Sequence, residues 1–528
     1  MKPDPIELEL FRHLLVSIAE EMGAVLRKTS YSANIKERRD YSCAVYDDSG
    51  ETVAMGDHMP VHLGAMPLSV RHAMQAFDFA PGDVAILNDP FRGGTHLPDI
   101  TAVSGVFVKG RLKPAFYVAN RAHHADVGGM SPGSMPLARE IYQEGIRIPP
   151  ILLVRGGQFD RELLGLILAN VRTPEEREGD LLAQCMAIRR GEQRLLDLVA
   201  KYGMAKVRRN MTALKDYSER MMRSAIRRLP RGEYRFEDSL DNDGIVDRPV
   251  KIVATVTIHG NRATIDFTGS SEQVEGSVNA NYAVAVSATT YVFRCLVRED
   301  IPYTAGVMRP LEVIAPLGSV VNAQPPAAMA AGNVETSQRI TDVVLGALSK
   351  AVPRLIPAAS YGTMNNITFG GMDRRRGQNH PRGQPFAYYE TIAGGMGASE
   401  VADGPSATHA HMTNSWNTPV EVFEHQYPLR IRGYRIRSGS GGAGHHRGGD
   451  GIIREFEFLT PADVTILADR RLRGPYGLLG GESGAPGKNT LLKGKRTIAI
   501  PGKARFEVDA GDVLRIESPG GGGYGKPG

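Results

Sequence analysis

The sequence has few of the features that mark secreted, membrane or nucleic-acid-binding proteins. Its three cysteines, Cys43, Cys185 and Cys295, lie far apart without a CxxC pair, which excludes a disulfide framework and a thiolate zinc site. No run approaches the roughly 20 consecutive apolar residues of a membrane helix. The 63 basic and 58 acidic residues are scattered along the chain and give no support for nucleic-acid binding. The first residues alternate acidic and apolar side chains where a signal peptide needs an apolar core, so we expect a cytoplasmic protein.

The chain also lacks the common nucleotide-binding and nucleophile motifs. Gly439–Gly444 matches GxGxxG, but the residues after it alternate as in a strand, where a dinucleotide site needs a helix. Gly481–Thr490 resembles a P-loop but has Asn489 where Ser or Thr should hold magnesium. A GxSxG serine motif is missing as well. If the reaction consumes ATP, we therefore expect the nucleotide to bind to another polypeptide.

The pattern of apolar residues predicts several lobes of mixed structure. At 528 residues the chain is too long for one ordinary domain. We expect an α/β mixed (α+β) fold with mixed sheets covered by helices, beginning with an amphipathic helix from about residue 6 to 28. The predicted divisions are an N-terminal α/β lobe (1–159), a helical segment (160–230), a central α/β lobe (231–418) and a β-rich C-terminal lobe (419–528). The glycine-rich end from Ser518 is expected to be flexible.

Histidine and aspartate residues gather in the first lobe at the ends of predicted strands. His96 and Asp99 stand three residues apart before one strand, and His123 and Asp126 repeat this spacing after the next. The two strands predict a hairpin that turns at Gly110, so the loops on either side emerge at the same end. Two imidazoles and two carboxylates suit Zn, Mn or Fe(II) with an open coordination position. The pattern predicts a divalent metal site, with histidines bonded to the backbone as the alternative.

Other residues of this lobe are candidates for the same site. Asp40 is a further possible ligand, or else a cap between a helix and a strand. His58 and His62 could line the cavity, with an ordinary loop role favoured for His58. Glu144 could bond a ligand or transfer a proton, or be a surface carboxylate. Trp416, the single tryptophan, is expected to be buried packing.

Six segments spread over nearly the whole chain resemble the hydantoinase B/oxoprolinase family. This family includes B-type subunits of N-methylhydantoinases, 5-oxoprolinases, caprolactamase-like enzymes and related subunits of acetone and acetophenone carboxylases. The segments are Glu37-Arg-Arg-Asp-Tyr-Ser-Cys-Ala, Asn88-Asp-Pro-Phe-Arg-Gly-Gly-Thr-His-Leu-Pro-Asp, His123-His-Ala-Asp-Val-Gly-Gly, Tyr142-Gln-Glu-Gly-Ile-Arg-Ile-Pro-Pro, Tyr389-Glu-Thr-Ile-Ala-Gly-Gly-Met-Gly-Ala and Met412-Thr-Asn-Ser-Trp-Asn-Thr-Pro-Val-Glu.

The resemblance implies a division of labour between two subunits. An A-type subunit with an actin-like ATPase fold would bind Mg-ATP and phosphorylate the oxygen of a lactam or cyclic ureide. The B-type subunit would complete ring opening with a bound metal, in an A2B2 or larger complex. The family's site residues, carried over to this sequence, are metal ligands at Asp40, His96, Asp99, His123 and Asp126 and catalytic residues at His124 and Glu144.

Two other functions remain open at the level of sequence. A subunit of an acetone- or acetophenone-type carboxylase would activate its substrate with ATP and transfer it to carboxyphosphate formed from bicarbonate. A noncatalytic scaffold would only stabilise the ATPase subunit. The segments Asn333–Ser337, Gly362–Asn366 and Gly394–Gly397 could shape a substrate pocket or a subunit interface, and turn or packing roles are equally compatible with them.

Overall fold

The fold combines long helices with antiparallel sheets, as the sequence predicts. The computed structural model describes residues 4–56, 58–375 and 383–528. The helices described there are α1 (Pro5–Thr29), α2 (Ala33–Lys36), α3 (Ala65–Ala76), α4 (Arg161–Ala169), α5 (Pro174–Tyr202), α6 (Met204–Arg227), α7 (Tyr282–Cys295), α8 (Ser337–Ala351) and α9 (Val420–Gln426). None of the helices in these ranges is long and apolar enough to cross a membrane.

The strands lie between turns, as expected from the sequence. They are β1 (Tyr41–Asp47), β2 (Thr52–Met55), β3 (Val84–Leu87), β4 (Asp99–Val106), β5 (Phe116–His123), β6 (Ile151–Arg155), β7 (Gln158–Phe159), β8 (Gly232–Leu240), β9 (Val250–His259), β10 (Arg262–Asp266), β11 (Leu311–Ile314), β12 (Asn366–Asp373), β13 (Gln384–Glu390), β14 (Leu429–Arg437), β15 (Gly451–Phe458), β16 (Ala462–Leu467), β17 (Lys488–Lys493), β18 (Arg496–Ile500), β19 (Lys503–Val508) and β20 (Val513–Glu517).

Within the described ranges these strands form four sheets. The first has the order β2-β1-β5-β4-β3-β6-β7, and the second is β11-β10-β9-β8. The third is β13-β12-β16-β19 and the fourth β14-β15-β20-β17-β18. Of the pairs described, only β10 with β11 is parallel. The third sheet therefore joins β12 and β13, which precede residue 419, to strands of the β-rich end of the chain. The division into lobes stays a prediction.

The first sheet is buried on both faces. Successive side chains of a strand point to opposite faces, so Ala44 and Tyr46 of β1 join one apolar cluster while Cys43 and Val45 join another. Helices α1 and α5 cover the second of these faces, and the first face packs towards α3, α7, α8 and the second sheet. Most side chains of this sheet are therefore in apolar surroundings, and the predicted ligands lie at its strand ends.

The glycine-rich end of the chain is ordered and buried, contrary to the expected flexible tail. Residues 518–524 are buried among the loops that carry Gly439–Gly444 and Gly394–Gly397. A Cβ on Gly521 would stand 1.9 Å from the carbonyl oxygen of Met396, so only glycine allows these backbones to come so close. Close packing of backbones needs residues without side chains, and the resulting glycine-rich composition resembles that of a disordered end. Composition alone therefore predicted flexibility.

Candidate metal centre

The hairpin of β4 and β5 brings three predicted ligands together. Asp99 opens β4 and His123 closes β5, and the two are direct partners in the antiparallel register. His96 precedes the strand by one turn of loop, where the backbone N–H of Asp99 donates to its carbonyl. The ligand atoms of these three residues lie within 4.8 Å of one another, and all three side chains are buried. The expected convergence of the two flanking loops is confirmed for these residues.

Asp99 is the hub of the group. Its Oδ1 lies 3.2 Å from His96 Nε2 and 3.3 Å from His123 Nδ1. Its Oδ2 accepts a hydrogen bond from Thr95 Oγ1 at 2.6 Å and lies 3.4 Å from His62 Nε2. Burial would raise the pKa of Asp99, but His96 and the hydrogen bonds from His123 and His62 hold it well below its usual range. The centre of the group is therefore a carboxylate anion.

Two imidazoles around Asp99, those of His123 and His62, are held in the neutral form. Burial lowers the pKa of His123 to about 3 and also lowers that of His62. The Nε2 atoms of His96 and His123 are buried without a hydrogen-bond partner. Neutral imidazole nitrogens beside an ionised carboxylate are the protonation state that a divalent metal requires of its ligands. The donor set, two imidazoles and a carboxylate with nitrogens left unpaired, fits a Zn, Mn or Fe(II) ion.

Asp40 lies at the edge of the group, directly before β1. Its carbonyl oxygen accepts the N–H of His123 at 3.0 Å, which joins β1 to the end of β5. Burial raises the pKa of its carboxyl to about 6, against the lowering effect of Arg38, whose guanidinium lies 3.9 Å away. The charges of Asp99 and His96 also act on it, but Asp40 is outside the group of three residues whose ligand atoms all lie within 4.8 Å of one another.

Asp126 points away from the group. Its Oδ1 accepts from the N–H of Gly128 at 3.0 Å and of Arg172 at 3.1 Å. Its Oδ2 accepts from the N–H of Gly133 at 3.2 Å and from the Arg172 guanidinium at 3.0 Å. The chain turns at Gly128 and Gly129, both in the left-handed region, and Asp126 holds this turn through its bonds to Gly128 and Arg172. Asp126 therefore anchors its own loop and is outside the group of His96, Asp99 and His123.

His124 and Glu144 lie behind the ligands. His124 follows His123 directly, and neighbouring residues face opposite sides. His124 therefore points to α5, where its Nε2 lies 2.9 Å from Gln184 Oε1. Glu144 is fully buried, so the surface-carboxylate alternative is wrong. Its Oε1 accepts the N–H groups of Met329 at 2.7 Å and Ala330 at 2.8 Å. The Ala330 carbonyl in turn lies 3.1 Å from His96 Nδ1, so Glu144 supports the loop that orients His96.

Two residues from distant parts of the chain complete the surroundings. The ring of Tyr389 stacks on that of His123 with centroids 4.1 Å apart, and the Asn333 side chain donates to Asp99 Oδ2 at 3.2 Å. From the sequence, Tyr389 belongs to a family-like segment without a role of its own, and Asn333 to a segment that could shape a substrate pocket or a subunit interface. No local spacing could have linked them to the site, because both contacts span more than 200 residues of chain.

A cavity of about 180 Å³ lies on the His62 side of the group. Met59 and Tyr291 are among the residues that line it. The N–H of Met59 donates to Ser42 Oγ at 3.2 Å, and this hydroxyl lies 2.9 Å from His62 Nδ1. A series of polar contacts through Ser42 and His62 therefore connects Met59, at the cavity, with Asp99.

Trp416 corrects a further expectation. Its side chain is 54% exposed instead of buried, and the guanidinium of Arg39 lies over its ring at 3.4 Å from the centroid. The backbone N–H of Trp416 donates to the carbonyl of Arg38, whose guanidinium donates to Thr391 Oγ1 at 2.7 Å. Trp416 thus covers the outer side of the arginine that faces Asp40.

Comparison with known proteins places the whole chain in one group. The family model described as hydantoinase B/oxoprolinase matches residues 4–527. An uncharacterised protein of Methanocaldococcus jannaschii is 41% identical over 99% of this chain and 91% of its own length. The 5-oxoprolinase 1 of Arabidopsis thaliana is 39% identical over 99% of this chain, which spans only 42% of that longer protein. The putative B-type subunit of a D-/L-hydantoinase from a Pseudomonas species is 30% identical over the full chain and 90% of its own length.

Solved structures share the fold. The ATP-dependent caprolactamase of Pseudomonas jessenii superposes with a TM-score of 0.91 at 30% identity, covering all of this chain and 92% of the other. An acetone carboxylase in its nucleotide-free form gives a TM-score of 0.90 at 18% identity, over 99% of this chain and 76% of the other, which shows likeness of fold alone. By its family match, its relatives and its fold, this chain belongs to the hydantoinase B/oxoprolinase family.

Proposed function

We propose that this protein is the B-type subunit of an ATP-dependent cyclic amidohydrolase. It would open a lactam or a cyclic ureide after a partner subunit has phosphorylated the ring oxygen. The observation that carries the proposal is the buried group of His96, Asp99 and His123 at the end of one hairpin. Relatives named as a 5-oxoprolinase and as a hydantoinase component, and a caprolactamase of the same fold, support cyclic amides as the substrate class.

The chain's own residues would hold and orient a divalent ion. His96, Asp99 and His123 would hold it, with Asp40 as a further ligand. A Zn, Mn or Fe(II) ion held there would polarise a carbonyl group and make a nearby water more acidic. The Ala330 carbonyl, fixed by Glu144, keeps the Nε2 lone pair of His96 directed at the group because Nδ1 must carry the hydrogen. Phosphorylation would assist because an unstrained amide is a poor electrophile.

We propose further that ATP binds to an A-type ATPase subunit in an A2B2 or larger cytoplasmic complex. The two glycine-rich segments of this chain support that division of labour. Gly439–Gly444 lies between strands β14 and β15, and Gly481–Thr490 leads into β17, so neither opens a helix whose N-terminus would receive a phosphate. The Pseudomonas relative is named as one subunit of its enzyme, which also favours a partner.

The purified complex with its ATPase subunit tests this function. Phosphate release is measured against hydantoins, 5-oxoproline and simple lactams, with and without bicarbonate. We expect release that depends on one class of ring, does not need bicarbonate, and is lost in His123→Ala. His259→Ala, which removes an exposed histidine at the end of β9, serves as the matched control and should stay active. Dependence on bicarbonate would support a carboxylase, and full activity of His123→Ala in an intact complex would support a scaffold.

A further inference from the structure

Asn333 lies in an unusual turn beside the metal-ligand group. Residues Gly332–Thr336 form a π-helical turn directly before α8, and such wide turns occur frequently at functional sites. Gly332 permits the turn, because a Cβ there would stand 1.8 Å from the carbonyl oxygen of Asn279. The side chain of Asn333 is buried, with 4% of its surface exposed. The turn therefore delivers a buried amide side chain to the site from a distant part of the chain.

The contact with Asp99 settles which way the Asn333 amide points. Asp99 Oδ2 is a carboxylate oxygen and can only accept, so the amide nitrogen must be the atom that faces it at 3.2 Å. The amide oxygen is about 2.3 Å from that nitrogen by covalent geometry, which puts it within about 5.5 Å of Asp99 Oδ2. This Asn333 Oδ1 atom is buried and accepts no hydrogen bond. It is a fixed acceptor without a donor, next to His96 and His123.

An unpaired acceptor alone does not make a binding site. Asn210 on α6 shows the same chemistry, since its Nδ2 donates to Glu7 Oε1 at 2.8 Å and its Oδ1 is also unpaired. What distinguishes Asn333 is its neighbour: its amide donates to the carboxylate that His96 and His123 also contact. A ligand whose carbonyl group faces His96, Asp99 and His123 would need an N–H group on the same side to donate a hydrogen bond to Asn333 Oδ1.

A ring amide has this arrangement and a linear secondary amide does not. Linear secondary amides are trans, so that their C=O and N–H point in opposite directions. In a small lactam or cyclic ureide the ring forces the amide to be cis, and C=O and N–H then point to the same side. The nitrogen also carries hydrogen in the amine that forms when the ring opens. An acceptor beside the metal-ligand group can therefore recognise the ring by its geometry.

We propose that, before the ring oxygen is phosphorylated, Asn333 Oδ1 accepts the ring N–H of the substrate while the carbonyl of the same amide faces His96, Asp99 and His123. Asn333 is then the residue that selects an unsubstituted cis amide over an N-alkylated ring or a linear secondary amide. This inference rests on the proposed function for its substrate class, although it concerns recognition of the ring and not its turnover.

The test measures binding without ATP, so that turnover plays no part. Calorimetry on the purified complex compares 5-oxoproline and hydantoin with N-methyl-5-oxoproline and 1,3-dimethylhydantoin, which have no ring N–H, in wild type and in Asn333→Leu. We expect wild type to prefer the N–H rings, and Asn333→Leu to weaken their binding by about tenfold to a hundredfold, while binding of the N-methyl rings stays the same. Asn210→Leu, which loses an equivalent amide far from the group, should keep the wild-type preference. Asn333→Ser repeats the test if the leucine variant does not fold.

The outcomes separate this inference from the proposed function. Equal loss for N–H and N-methyl rings, or no loss for either, overturns the role of Asn333, and so does a wild-type complex that binds none of the rings. Binding that prefers N–H rings through Asn333, without phosphate release on any ring, would support the recognition role while refuting the hydrolase. Metal content measured on each variant shows whether a loss comes from a displaced Asp99, which would also overturn the inference.

Discussion

Replacing Glu144 by Gln should remove a large part of the pH dependence of stability near neutral pH. Burial raises the pKa of Glu144 to about 8 from an ordinary value of 4.5. Its carboxyl accepts two backbone N–H groups without needing a charge, and Gln keeps that acceptor. Since glutamine cannot ionise, the variant copies the neutral acid at every pH. Glu144→Leu removes the acceptor itself and is the contrasting variant.

The sign of the effect follows from proton binding. Between pH 4.5 and about 8 the folded protein holds a proton on Glu144 that the unfolded chain has lost. The stabilising contribution of this group is therefore complete below pH 4.5 and is lost as the pH rises through about 8. At about 1.4 kcal/mol per pH unit, the whole interval amounts to at most about 5 kcal/mol. Glu144→Leu should instead cost about 1–3 kcal/mol for each of the two N–H groups left unpaired, even at low pH.

Urea denaturation at pH 5.5, 7 and 8.5 measures these differences. We expect the free energy of unfolding of wild type to fall relative to Glu144→Gln as the pH rises, by about 3 kcal/mol between pH 5.5 and 8. Other buried acids, such as Glu335, titrate in both proteins. The difference in the free energy of unfolding between wild type and Glu144→Gln therefore reports on Glu144 alone. Parallel pH profiles for wild type and Glu144→Gln would refute the reasoning, because they would mean that Glu144 is ionised in the folded protein throughout.

Three further predictions concern residues outside the metal-ligand group. Asp126→Asn should leave the metal content per chain unchanged and lower the melting temperature, because it weakens the contacts of its loop with Arg172 and with the Gly133 N–H; loss of metal would support Asp126 as a ligand. Gly521→Val should yield insoluble or unfolded protein on expression, because its Cβ would overlap a backbone carbonyl, and a normally folded variant would contradict the buried tail. Arg454→Met should lower the free energy of unfolding by about 3–5 kcal/mol in denaturation, because the buried carboxylate of Glu390 loses its charged partner. An unchanged free energy of unfolding would show that this ion pair is not needed for stability.

The part of the site that sequence could predict is the part built from neighbouring strands. Strands β4 and β5 follow one another with a glycine turn between them, so Asp99 and His123 must meet as antiparallel partners. His96 comes with them because it is three residues away. The fold class and the family could also be predicted, since helical periodicity and the six segments extend over the whole chain.

The rest depended on geometry that no spacing encodes. Asp126 has the same spacing from His123 as Asp99 has from His96, but its carboxylate bonds to Gly128, Gly133 and Arg172 instead. Asn333, in the turn before α8, and Tyr389, in β13, reach the site over more than 200 residues of chain. The sequence pattern placed Glu144 among the possible catalytic residues, but its role in holding the loop of Ala330 is visible only in three dimensions.

Diffraction from crystals of the active complex, collected at the absorption edges of zinc, manganese and iron, tests the central claim most directly. We predict one anomalous peak among His96, Asp99 and His123, at about 2.0–2.2 Å from an imidazole nitrogen of each histidine and from a carboxylate oxygen. An active complex whose only transition-metal peak lies elsewhere, or which has none, would contradict the account.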